Sequence, residues 1–195
     1  MQFKYIDGAT PIDANEAAGL IPKNILLQSE LNEIEQSNIL KAEIWLSSHK
    51  MTLEKFATVE FMKKSHRKMF DKTWRWAGQF RLSNKNIGIN WNLISTNLKN
   101  LCDDTIYYIS NKNYSNDEMA VRFHHRLVSI HCFPNGNGRH ARIVTNYLLY
   151  LLGENKFSWG KDNLIKVNIT RNNYILALKQ ADEGSYEALL SFVRS

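Results

Sequence analysis

Proline is scarce: three occur in 195 residues, Pro11, Pro22 and Pro134. No Ser- or Gly-rich run accompanies them, so nothing marks an interdomain linker. One domain over residues 1–195 is expected, since domains commonly hold roughly 100–200 residues. Only two cysteines are present, Cys102 and Cys132, far apart in the chain. That excludes a disulfide framework and a metal quartet and fits a reduced, cytoplasmic protein. No apolar run approaches the ~18 consecutive residues of a membrane span, and the longest, over 147–152, is far shorter. Residues 1–7 lack a basic stretch followed by an apolar one, so no secretory signal is read there. No internal repeat marks a solenoid.

What is present is ordinary for a globular domain: 44% hydrophobic and 23% charged residues. Lys plus Arg number 25 against 19 Asp plus Glu, a formal charge of +6. Such a balance favours anionic partners, nucleotides among them, without choosing one. Apolar spacing predicts helices over 29–49, from Thr52 onward, over 92–111, 119–130, 138–152, 170–181 and 185–193. Ser115 and Glu118 form a capping box before the 119–130 helix. The stretch 74–81 breaks the period. Over 81–91 the alternation of Ile87, Ile89 and Trp91 beside a polar Ser-Asn-Lys-Asn turn predicts a short β-hairpin. The class is all-α with one small hairpin flap.

The chemistry concentrates in residues 131–142, His-Cys-Phe-Pro-Asn-Gly-Asn-Gly-Arg-His-Ala-Arg, between two apolar helices. Gly136 and Gly138 let the backbone approach a ligand. The loop feeds a helix N-terminus, whose N–H groups and dipole attract anions. Arg139 and Arg142, three apart, add two guanidiniums, which suit a polyphosphate better than one carboxylate. His131 is the side chain there that titrates near neutrality. A base beside a phosphate cradle suggests phosphoryl or nucleotidyl transfer to a hydroxyl. The same glycines match GxGxxG/A, but that fingerprint needs a preceding strand and a helix precedes here. The remaining alternative is a Gly-rich turn with surface arginines. His124, His125, His131 and His140 lack metal-ligand spacing, and the basic residues Lys63, Lys64, Arg67 and Lys68 read as a solvated face.

The segment resembles the Fic motif HxFx(D/E)GNGRxxR of the Fic/Doc superfamily. His131, Phe133, Gly136, Asn137, Gly138, Arg139 and Arg142 match it. Tyr174, Ala177, Leu178, Ala181, Asp182, Gly184 and Tyr186 resemble the family's C-terminal tail. Tyr5 to Pro11, Glu30 to Glu33 and Arg122 to Arg126 resemble the subgroup called mobile mystery protein B. The resemblance implies a single Fic domain, with an N-terminal extension over 1–50 and a core over 51–195. It implies AMP transfer from ATP to a hydroxyl of a target protein, with Mg²⁺ as helper and neither nucleic acid nor membrane as partner. By resemblance His131 is the general base, Phe133 anchors the loop, and Gly136, Asn137 and Gly138 hold the phosphates. Arg139 and Arg142 neutralise the far end of the triphosphate, and Tyr174 is a candidate on the adenine side. Ser83, Asn84, Lys85, Asn86, Ile87, Gly88 and Ile89 form the flap that docks the target by strand addition.

Two features depart from the motif. Asn135 stands where a carboxylate often binds Mg²⁺, and an amide oxygen is a poorer ligand for that hard cation. Cys132 replaces a frequent proline and reads as a small buried residue. Many Fic proteins are also self-inhibited by a helix glutamate that pairs with the second motif arginine, here Arg142. Glu35 and Glu33 are the candidates, and an antitoxin-like partner is the other source of such a carboxylate. The alternative functions are a Doc-like phosphotransferase, whose motif usually has Lys at the position of Gly138, and a nucleotide-binding regulatory module with little catalysis.

Overall fold

The structure is a computed structural model that describes residues 13–23, 25, 27–160 and 167–195. The 5–11 segment of the subgroup resemblance lies outside the described residues. Nine α-helices are described: α1 (Ala14–Ala17), α2 (Gln28–Ser48), α3 (Leu53–Phe56), α4 (Val59–Phe70), α5 (Ile94–Ser110), α6 (Asn116–Ile130), α7 (Asn137–Leu151), α8 (Val167–Asp182) and α9 (Glu187–Arg194), with one 3-10 turn at Trp91–Leu93. The chain is all-α, as the sequence pattern indicates. No helix among the described residues is long and apolar enough to cross a membrane.

Local signals explain most boundaries. The segment opened by Thr52 is two helices, because Ala57 leaves helical geometry and Thr58 caps a new start, its Oγ1 accepting from the Phe61 N–H at 3.1 Å. Ser115 caps α6 by accepting from the Glu118 N–H at 3.2 Å. The box is only half closed: Glu118 turns one helical turn onward and pairs with Arg122 at 2.8 Å.

Two apolar clusters build the interior. The larger joins α2 through α7, and the smaller joins α6, α7, α8 and α9. Helices α6 and α7 belong to both, so each is buried on two faces. Their connecting loop, residues 131–136, therefore joins two helices that are each packed on both sides. Cys102 in α5 and Cys132 in that loop are both free and buried.

The hairpin expected over 81–91 does not form. Among the described residues the one β pairing is an isolated antiparallel bridge between Leu20 and Trp74. A lone two-stranded ribbon is marginal, and here Arg81 takes carbonyls at both ends of the segment, Ser83 and Ile89.

Phe123 of α6 is fully buried and packs on Phe56 of α3 with ring centroids 5.7 Å apart. Phe123→Ala is expected to cost about 3–5 kcal/mol of folding free energy, read as a lower urea midpoint. A loss below about 1 kcal/mol would mean that the helices collapse into the vacated space.

Candidate active site

Helix α6 ends at His131, which takes a left-handed conformation (φ 54°, ψ 61°) and caps the helix. For a non-glycine residue this costs of order 1–3 kcal/mol and persists only where the surroundings impose it. Arg81 does so here, its Nε donating to the His131 carbonyl at 2.6 Å. His131 is 5% exposed. Burial, reinforced by the Arg81 and Lys85 charges, pushes its pKa from 6.5 down to about 4. The ring is therefore neutral at pH 7 and able to accept a proton.

The loop after it is closed by one amide. Asn137 Nδ2 donates to the Phe133 carbonyl at 2.7 Å, and its Oδ1 accepts from the Phe133 N–H at 2.9 Å. Phe133 is buried and stacks on His66 at 3.8 Å. His66 accepts from the Gly78 N–H at Nδ1 (2.9 Å), so Nε2 carries the proton and donates to the Asn135 carbonyl at 3.0 Å. Gly136 has φ 77°, and a Cβ there would lie 2.5 Å from the Phe70 ring, so only glycine fits. Gly138 is the opposite case: a Cβ there would meet nothing within 4 Å. The first helical bond of α7 runs from the His140 N–H to the Gly136 carbonyl at 2.9 Å. The N–H groups of Asn137, Gly138 and Arg139 precede it and have no intrahelical acceptor. An open glycine at a helix N-terminus is an anion cradle. Asn137 contributes its backbone to it, since its side chain is engaged in the loop.

The two arginines diverge. Arg139 lies over Phe70 at 5.0 Å and its Nη1 pairs with Glu35 Oε2 at 2.7 Å. Glu35 is 5% exposed, and its Oε1 accepts from Trp74 Nε1 at 2.6 Å. Arg142 instead stacks on Tyr174 at 4.6 Å and Trp159 at 5.7 Å, with its buried Nε lacking a hydrogen-bond partner among the described residues. The helix carboxylate thus meets the first motif arginine, not Arg142 as the resemblance implied. The reason is positional: α2 packs against α4 and α7, while Arg142 points toward α8. Glu33, two residues from Glu35, is exposed on the other side of α2.

Tyr174 is buried, its hydroxyl bonded to His124 at 2.9 Å and its ring covered by Arg142. It backs the arginine and offers a base no open face. Asn135 Oδ1 accepts from the Gly136 N–H at 2.6 Å and from Arg139 Nη2 at 3.3 Å. Among the described residues no three His, Cys, Asp or Glu side chains come together to hold a metal. The donors do not fit a protein-held Mg²⁺: the amide oxygen already accepts two N–H groups, and Glu35 is bound to Arg139 and Trp74.

The 81–91 segment crosses His131. Gly88 has φ 98°, and a Cβ there would lie 2.6 Å from the His131 Cβ. Lys85 is pinned to Glu16 at 2.6 Å and Asp13 at 3.3 Å beside α1. Leu82, Ile87, Trp91 and Leu93 are exposed along the segment. Sequence reasoning missed Arg81, His66 and Trp74 altogether. Spacing holds no signal for them, because their partners are 50, 69 and 39 residues away.

Burial also holds His124 and His140 at about 3 and His66 well below 6.5. These rings are neutral in the fold but protonate below about 6.5 once unfolded. The unfolded state thus binds more protons as pH falls, and stability drops from pH 6.5 toward 4. Each ring contributes up to about 1.4 kcal/mol per pH unit. Urea midpoints should fall steeply between pH 6.5 and 4.5; a flat profile would mean that the rings are charged in the native state.

Residues 56–149 match the model of the Fic/DOC family. No curated protein sequence matches the chain. Among solved structures, BepC from Bartonella tribocorum with bound AMPPNP superposes with TM-score 0.67 at 18% identity, covering 93% of this chain and 97% of that one. The N-terminal FIC domain of Bep8 from Bartonella sp. 1-1C gives TM-score 0.72 at 18% identity, covering 94% of each chain. Fic-1 (aa134–508) from C. elegans gives 0.67 at 19%, covering 91% of this chain and 51% of that one. The fold is shared with these proteins, and the stretch that matches the Fic/DOC family model holds the whole of His131–Arg142.

Proposed function

We propose that this chain is a Fic-type adenylyltransferase that moves AMP from ATP to a hydroxyl side chain of a target protein. The observation that carries this reading is a neutral, buried His131 one short loop away from the uncovered N-terminus of α7. His131 takes the proton of the acceptor hydroxyl. The hydroxyl oxygen bonds to the α-phosphorus, the bond from that phosphorus to the bridging oxygen breaks, and pyrophosphate leaves with the electron pair. In this reading the first-turn N–H groups of α7, Arg142, and Arg139 once Glu35 releases it, stabilise the charge that builds on the leaving group. The nucleotide-bound relative of the same fold supports a nucleotide as the donor. No protein-held Mg²⁺ enters this scheme.

In the same reading the exposed flap side chains Ile87 and Trp91 receive the target segment. Glu35 acts as the inhibitor in cis by occupying Arg139, which the terminal phosphates need. Such a carboxylate makes an antitoxin-like partner unnecessary. A second reading, a nucleotide-binding regulatory module, is favoured by Asn135, whose oxygen is engaged inside the loop.

The test is label transfer to lysate proteins from ATP labelled at the α- or γ-phosphate. Expected is α-label that disappears in His131→Ala. Glu35→Gln keeps the acceptor for Trp74 but loses the charge on Arg139, and should raise transfer roughly tenfold or more, the equivalent of about 1.4 kcal/mol. Transfer of γ-label alone would assign a Doc-like phosphotransferase. ATP binding without either label would favour the regulatory module.

A further inference from the structure

We propose that Arg81 is a positioning residue that holds the target-docking flap and the catalytic base in one fixed geometry. The inference rests on the adenylyltransferase reading for its consequence, but not for its structural content.

Arg81 is 1% exposed and makes no ion pair among the described residues. A buried guanidinium without a carboxylate is costly unless its donors are met. Four main-chain carbonyls meet them. Nε donates to His131 at 2.6 Å, Nη1 to Ser83 at 2.7 Å, and Nη2 to Ile89 at 2.5 Å and Ile130 at 3.4 Å. The Arg81 N–H adds a bond to the Cys132 carbonyl at 3.0 Å.

These acceptors fall into two groups. Ile130 and His131 end α6, where unsatisfied carbonyls and the negative end of the helix dipole favour a cation. Ser83 and Ile89 bracket the flap. One planar group therefore spans the base and the docking segment, and a planar fork transmits orientation as well as charge. Lysine, a point charge with rotating donors, cannot hold both ends. Gly88 closes the contact: a Cβ there would lie 3.0 Å from Arg81 Nη2 and 2.6 Å from the His131 Cβ.

The charge has a second effect. The charges that bear on the His131 ring include Arg81 and Lys85, both cationic, and Gly88 packs against its Cβ. Lys85 is itself tied to Asp13 and Glu16. Removing the Arg81 charge should therefore raise the His131 pKa above about 4, while burial, the larger cause, still holds it below 6.5. Nucleotide affinity should stay unchanged, because Arg81 touches neither Gly136, Gly138, Arg139 nor Arg142.

The experiment compares wild type, Arg81→Lys and Arg81→Met of the full chain. Amide hydrogen exchange is followed over 83–89, with α4 and α5 amides as the internal reference. His131 is titrated by NMR, ATP affinity is measured by calorimetry, and α-label transfer is assayed. Expected is flap exchange at least tenfold faster in both variants, with the reference amides unchanged. The His131 pKa should rise in Arg81→Met and stay low in Arg81→Lys. Transfer should fall at least tenfold in both, with the ATP Kd within twofold of wild type. Flap exchange unchanged in Arg81→Lys, or faster to the same degree in α4 and α5, would overturn the proposal; so would transfer at the wild-type rate. If Arg81→Met does not fold, Arg81→Lys alone decides. Absence of label transfer in both wild type and Glu35→Gln would remove the adenylyltransferase reading, while flap exchange and the His131 titration would still judge Arg81.

Discussion

The side chain of Asn137 donates to the carbonyl of Phe133 and accepts from its N–H, and these two bonds set the shape of the loop between α6 and α7. Both groups of Phe133 lie in a buried environment, where unmet polar atoms are costly. With the loop closed, Gly136 must adopt φ 77° against Phe70, α7 must start at Asn137, and His131 must end α6. His66 reinforces the arrangement from behind, passing a hydrogen bond from the Gly78 turn through its ring to Asn135. His131, the N-terminus of α7 and the two arginines all inherit their positions from this pair of hydrogen bonds.

The two motif arginines serve different surroundings. Arg142 lies against the Tyr174 and Trp159 rings and makes no ion pair among the described residues, so it can attract an anion brought to α7. Arg139 is neutralised by a buried carboxylate. If a phosphate takes Arg139, Glu35 keeps only the Trp74 N–H, and a buried carboxylate stripped of its cation is strongly destabilised. The two binding events are thus exclusive unless α2 shifts. Occupancy of the cradle and the position of α2 are therefore linked in the proposed reaction, with Glu35 as the coupling point.

Much of this was legible in the sequence where the determining interactions are local. Helix α2 appears within a residue of its predicted ends, because the apolar spacing that writes it is repeated every turn. The loop at 131–142 was legible because glycine, arginine and histidine have few other reasons to cluster. The flap was misread, since alternation at Ile87, Ile89 and Trp91 predicts pairing but cannot reveal that Arg81 captures the ends. Arg81 itself sits between Phe80 and Leu82, a pattern that points the apolar neighbours inward. The structure does the reverse for one of them: Leu82 is 79% exposed and Arg81 is 1% exposed. The pairing of Glu35 with Arg139 spans 104 residues and depends on how α2 leans on α7, which no local pattern records.

The two cysteines have a practical consequence. Only a thiolate reacts readily with alkylating reagents. Burial pushes the Cys102 thiol up to about 12 and that of Cys132 higher still. Neither sulfur is reachable in the closed molecule. Modification must wait for a fluctuation that brings the thiol into water, so its rate counts openings. Cys102 lies in α5, deep in the larger cluster, and Cys132 lies in the loop beside the base. Thiol labelling would therefore clock two separate motions of one native protein: the breathing of its interior and the loosening of its site.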